Sequence, residues 1–157
     1  MMPRYRKLLV TTDFSPLGNG AIPHAYAILA ERGGTIILCH VTEVHGPPNP
    51  LYAHYAPWSG LSWQERAELR QTFLRSLQLL VPAEVLAEGV VTTEVRVVET
   101  PLLVHEAICQ EATALDVDLI VMASHGHSGI ARLLLGSVTE HVVRSADRPI
   151  LIVRSAR

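Results

Sequence analysis

The sequence predicts an α/β protein: a doubly wound, five-stranded parallel sheet with helices on both faces. Three observations carry this. Five short apolar runs recur along the chain, separated by segments with helical periodicity. The runs are apolar at consecutive positions, as strands covered on both faces should be. The fourth run, 119–123, opens into Ser124-His125-Gly126-His127-Ser128-Gly129, followed by an apolar patch, Gly136-Ser137 and a helical pattern. Strand, glycine loop and helix start, in that order, is how α/β proteins turn backbone N–H groups towards a phosphate.

Taken in order, 7–12 is an apolar, β-branched run and reads as the first strand. A tight exit follows at Thr11-Thr12-Asp13-Phe14-Ser15. A helix should then run to about Arg32, with Ala21, Ile22, Ala25, Ile28 and Leu29 on one stripe. Its start is blurred by Gly18, Gly20 and Pro23, and Gly33-Gly34 should stop it. The second strand is 35–42. Residues 43–61 hold four prolines and show neither period, so they read as a long loop, of a length that is uncommon without structure. A variable surface insertion, a lid and a dimer contact are the roles open to it.

The clearest helix spans 62–81. Ser62 and Glu65 match a capping box, and Phe73, Leu74, Leu77, Leu80 and Val81 form its apolar stripe. The third strand is placed at 90–98. Thr100-Pro101 resembles an N-cap with proline in the first turn, which predicts a helix over 101–114. After the strand at 119–123, a last helix should start at Ser137 and end before Asp147, with a final apolar strand at 150–153.

Composition narrows the function. Apolar residues make up 48% of the 157 and charged residues 18%, which suits a globular chain of one domain over 1–157. A net charge of −2 and a pI near 6.4 give no electrostatic reason to expect nucleic acid or an anionic membrane as a partner. Lys7 is the only lysine, and no G-x-x-x-x-G-K-[ST] occurs. Cys39 and Cys109 are isolated and read as reduced core residues. Without a signal-peptide stretch or a spanning run, the expected location is the cytoplasm.

The stretch 123–137 resembles the glycine pattern of nucleotide-binding universal stress proteins, G-2x-G-9x-G-[S/T]. Here it reads Ala123, two residues, Gly126, nine residues, Gly136-Ser137, with alanine at the first glycine. The resemblance extends over nearly the whole chain, including LVTTDFS at 9–15 and RPILIV at 148–153. It implies a Rossmann-like sheet of order 3-2-1-4-5. It also implies a homodimer paired through the last strand, Pro149-Ile150-Leu151-Ile152-Val153. An uncovered apolar edge strand needs pairing in any case.

With strands one and four adjacent, the crevice at the switch point lies between their carboxyl ends. By resemblance, ATP or another adenine nucleotide, with or without Mg2+, would bind there. Thr11, Thr12 and Asp13 would line one side. Asp13 would face the base or ribose, since a carboxylate accepts from hydroxyl and amino groups and repels phosphate; the alternative is that it caps the following turn. Val41 would offer backbone groups to adenine. Gly126, Gly129, Gly136 and Ser137 would hold the phosphates, aided by Val138 and Thr139. Ser137 and Glu140 also match a capping box, a role compatible with anion binding. Ala123 is tolerated if its position needs only a small residue, and strained if it needs a positive φ. His125 and His127 form an H-x-H, which without a carboxylate or cysteine at ligand spacing reads as hydrogen bonding to phosphate rather than as a metal site. Arg132 is the nearest full positive charge.

Three functions follow: a nucleotide-binding stress-response module, a family member acting only through dimer and partner surfaces, and a slow ATP hydrolase or phosphotransferase. The last needs a group to position the nucleophile, and no such group stands out in the sequence.

Overall fold

The computed structural model describes residues 2–44, 61–125 and 135–154. Its elements are β1 (Lys7–Thr11), α1 (Pro16–Asn19), α2 (Ile22–Leu29), β2 (Gly34–Glu43), α3 (Trp63–Leu79), α4 (Ala83–Glu88), β3 (Val91–Thr100), α5 (Val104–Ala114), β4 (Leu119–Ala123), α6 (Ser137–Ser145) and β5 (Ile150–Val153). The five strands form one parallel sheet in the order β3-β2-β1-β4-β5, as expected.

The period of two along each strand divides the core in two. Leu8 and Val10 of β1, Ile36 and Leu38 of β2, and Leu119 and Val121 of β4 face α2 and α3. The alternate residues Leu9, Ile37, Cys39, Ile120 and Met122 face α5 and α6. Both layers are dry: Leu8, Leu9, Leu38 and Ile120 are fully buried. Burial pushes the Cys39 thiol up to about 12, with the Glu111 carboxylate adding to the effect and Arg96 opposing it. The thiol is therefore a small apolar core group with little thiolate character.

Local departures from the expected elements have local causes. The first helix divides into α1 and α2. Ser15 caps α1, its Oγ accepting from Gly18 N, and Gly20 closes that single turn. The helix expected from Pro101 starts at Val104, because β3 continues through Thr100. Thr100 Oγ1 accepts from Leu102 N, and Glu43 Oε1 from β2 accepts from Val104 N. Helix α4 was not expected. It fills six residues between Pro82 and Gly89, whose φ of 66° ends it. At α3 the capping box forms as read: Glu65 N donates to Ser62 Oγ, and Ser62 N to Glu65 Oε2. The loop expected at 43–61 lies outside the described residues apart from its ends; Glu43 closes β2, and Val44 N donates to Thr100 O.

At the end of the sheet opposite the strands' carboxyl ends, Asp118 ties β4 to β1. Its Oδ2 accepts from Arg6 N and Lys7 N, both at 2.8 Å. This latch and the register Leu9↔Ile120 fix how β1 and β4 run to their far ends, where the cleft opens.

Candidate functional site

The chain leaves β1 for β2 on one side and finds β4 on the other, so β1 and β4 flank the switch point. A cleft of ≈ 280 Å³ opens there, close to the ~300 Å³ at which small-ligand pockets begin. Thr11, Thr12, Asp13 and Val41 line one side, and Ala123, His125, Gly136, Ser137, Val138 and Thr139 the other. Ten of the positions read from the sequence are thus brought together. Gly126, His127 and Gly129 lie outside the described residues, as does Arg132. Four lining residues were not singled out: Gly18, Val104, Ile108 and Met122. The last three are ordinary core residues in the sequence, and only packing turns them into an apolar wall.

The turn after β1 is built by its own side chains. Thr12 N donates to Cys39 O at 3.0 Å, continuing the β1–β2 ladder by one bond. Thr12 Oγ1 accepts from Phe14 N and donates to Asn19 Oδ1. His40 Nδ1 lies 2.9 Å from Thr12 O, which makes Nδ1 the protonated nitrogen of the pair. Phe14 adopts φ 64°, a left-handed conformation uncommon for a bulky residue. Its ring is held by its neighbours, stacked on Phe73 of α3 at 5.6 Å and tilted against His40 at 4.5 Å. Strain of this kind persists only where the surroundings over-determine it, and it clusters at functional sites.

Asp13 both shapes the turn and lines the cleft. Its Oδ1 accepts from Ser15 N at 3.0 Å and from Ser15 Oγ at 2.5 Å, so it does shape the turn. It also lines the cleft. The two roles coexist because one carboxylate has about four lone-pair sites.

Across the cleft, one bond ties the end of β4 to β5 and two tie it to the start of α6. Ser124 N donates to Val153 O, Gly136 N to Ser124 O at 2.7 Å, and Thr139 Oγ1 to Ala123 O at 3.0 Å. The helix cap differs from expectation here. Gly136, not Ser137, is the N-cap, and Ser137 is the first helical residue with no side-chain cap. The S-x-x-E capping box therefore does not form, because Gly136 is already pinned to the end of β4. The amides of Ser137, Val138 and Thr139 begin the helix, where N–H groups lack partners within it and the dipole is positive. His125 adds a polar edge: Nδ1 lies 3.1 Å from Ser124 Oγ, and Nε2 is buried with no hydrogen-bond partner among the described residues. A buried ring nitrogen left unmatched beside a cavity is where a ligand's polar atom would be accommodated.

Ala123 ends β4 as a regular strand residue paired with Val153. Among the described residues only Phe14 and Asp116 have positive φ without being glycine. The alanine thus carries no positive-φ strain. Gly136 has φ −59° and ψ 152°, open to any residue. Its constraint is proximity: a Cβ there would lie 3.3 Å from Ser124 O and 3.5 Å from His125 Cα.

Comparison with known proteins gives one consistent result. The model of the universal stress protein family matches residues 4–154. Universal stress protein MJ0577 of Methanocaldococcus jannaschii is 29% identical, with 98% of each chain covered. Universal stress protein Sll1388 of Synechocystis is 24% identical over 96% of this chain and 98% of its own. Among solved structures, that of MJ0577 has a TM-score of 0.75 at 25% identity, covering 98% of this chain and 99% of that one. A universal stress protein solved in complex with cAMP has a TM-score of 0.62 at 26% identity, covering 98% and 99%.

Proposed function

Because the chain belongs to the universal stress protein family, we propose that its cleft binds an adenine nucleotide. In this reading the chain is a single-domain, cytoplasmic stress-response module that changes state with nucleotide occupancy. The observation that carries it is the polarity of the cleft. A carboxylate, Asp13, stands on one side, and the start of α6 with the His125 ring stands on the other, with apolar Val41, Val104, Ile108 and Met122 among the lining. A ligand with hydroxyl and amino donors at one end, a flat apolar body and an anion at the other fits that order. The cAMP complex of the 26%-identical relative supports the same ligand class.

Residue roles follow from position. Asp13 receives donors from the sugar or base, and Val41 contributes backbone groups to the base. Ser137 Oγ and the amides of Ser137, Val138 and Thr139 meet phosphate. Thr139 Oγ1 spends its proton on Ala123 O and keeps only acceptor capacity. Gly126, His127 and Gly129 are assigned to phosphate through the family pattern. ATP with Mg2+ is the first ligand to test. The homodimer belongs to this reading too: β5 is an edge strand, with Ile150, Leu151 and Ile152 only partly covered, and a second copy of β5 would pair its open backbone.

Thermal unfolding of nucleotide-free protein, alone and with ATP–Mg2+, AMP or inorganic phosphate, tests the binding. Nucleotide at about 100 times its Kd should stabilise the fold by ~2.7 kcal/mol, raising Tm by several degrees for a chain of this size. Phosphate alone should do far less. An unchanged Tm with every nucleotide would leave the family membership intact and remove the sensor.

A further inference from the structure

We propose that His105 of α5 and His141 of α6 form a two-histidine site for a divalent ion that prefers imidazole, such as Zn2+, and that the bound ion clips the two helices together. The site stands outside the cleft and does not rest on the nucleotide reading. The two rings lie face to face, with centroids 4.6 Å apart and planes 26° from parallel. His141 is exposed and His105 half-buried, so an ion from solution reaches the pair. His141 Nδ1 lies 2.6 Å from Ser137 O, one turn earlier in α6. A carbonyl only accepts, so Nδ1 carries the proton of the neutral ring and Nε2 presents its lone pair. A histidine that donates one ring N–H to a backbone carbonyl while the other nitrogen ligates is the usual arrangement at metal sites. Two Zn–N bonds of ~2.0–2.1 Å hold two nitrogens within ~4.2 Å of each other. The rings already stand near that separation. Chelation therefore asks for a turn of the His105 ring, edge towards His141 Nε2, rather than a new approach of the helices.

Packing alone does not call for this pair. The dry contact between α5 and α6 is made by Ala107, Ile108, Ala112 and Val142, and the histidines lie beyond it towards solvent. The charges around them do not repel a cation. Glu106 follows His105 and accepts from Leu103 N, and Glu140 precedes His141 and holds Arg144 at 2.7 Å. Among the described residues no third His, Cys, Asp or Glu joins the two, so water would complete the coordination. Imidazole nitrogens suit Zn2+, Cu2+ and Ni2+, whereas Mg2+ and Ca2+ ask for oxygen. The place of the pair gives the ion a consequence. Val104, next to His105, and Ser137, whose carbonyl holds His141, both line the cleft. An ion shared by the two rings would brace that wall.

The test is calorimetric titration of chelator-treated, tag-free protein with ZnCl2, and with MgCl2 as the control, alongside thermal unfolding in each salt. One Zn2+ should bind per chain and raise Tm, since it binds only the folded arrangement; Mg2+ should do neither. His105→Phe and His141→Phe keep a ring at each position and remove the ligand. Each should unfold, metal-free, close to the unchanged protein, and each should bind Zn2+ at least tenfold more weakly. A pair that only packs would give variants with full Zn2+ affinity, and that result overturns the proposal. Loss in one variant but not the other overturns it too, because the ion is then held by a single ring. The ring 15N signals of the unchanged protein give a readout that needs no variant to fold. Zn2+ should shift those of both His105 and His141. Shifts confined to other histidines, or no Zn2+ binding at all, overturn the site and leave the nucleotide reading untouched.

Discussion

Gly136→Val should reduce nucleotide affinity by at least ~100-fold, equivalent to about 2.7 kcal/mol, while the protein stays folded. The reason is crowding. The backbone at Gly136, φ −59° and ψ 152°, is open to valine. Even a single Cβ there would sit 3.3 Å from Ser124 O, tighter than ordinary van der Waals contact. Two more methyl groups force the start of α6 away from the end of β4. The bond from Gly136 N to Ser124 O, now 2.7 Å, is the first to give. The amides of Ser137 and Val138 then no longer face the place where the anion would sit. Overpacking of this kind costs roughly 1–3 kcal/mol in stability, within reach of a fold that has its core elsewhere. Gly136→Ala should fall between the two. Calorimetry for affinity and circular dichroism for the fold provide the check. Unchanged affinity in Gly136→Val would place the phosphate elsewhere.

Ile120→Ala should lower stability by about 2–5 kcal/mol, the range for truncating a buried aliphatic side chain. Ile120 is fully buried in β4, opposite Leu9 of β1 and Ile150 of β5. Its side chain belongs to the layer under α5 and α6, with Ile108, Ala112 and Val142. Strands on both sides and helices above leave little room to collapse into the space, so the cost should lie in the upper half of that range. A domain typically has only ~5–15 kcal/mol to lose. The denaturant midpoint should fall with its slope unchanged. A loss below ~1 kcal/mol would mean the layer under α6 is loosely packed.

Where the sequence was informative, one physical signal was enough. The strands β4 and β5 were legible to the residue, because each is an apolar run bounded by turn-forming residues. The capping box of α3 was legible because Ser62 has no competitor for the cap. The identical pattern at Ser137 misled, since a tertiary bond from Gly136 to β4 had already fixed the cap. Thr100-Pro101 misled for a related reason: Glu43, far away in sequence, takes the amide of Val104 and sets where α5 begins. The side of the cleft carrying Thr11 to Asp13 could be read from spacing and resemblance. Its apolar wall, Val104, Ile108 and Met122, could not, because core residues and pocket residues look alike until the helix is docked.

The most direct test of the central claim is to map amide chemical shifts of 15N-labelled, nucleotide-free protein on titration with AMP. The account predicts that the amides of Thr12, Asp13, Ser137, Val138 and Thr139 move together and saturate at one affinity, while those around Tyr26 and Val85, on the far face of the sheet, stay still. Shifts centred on any other surface, or none at millimolar AMP, would contradict it.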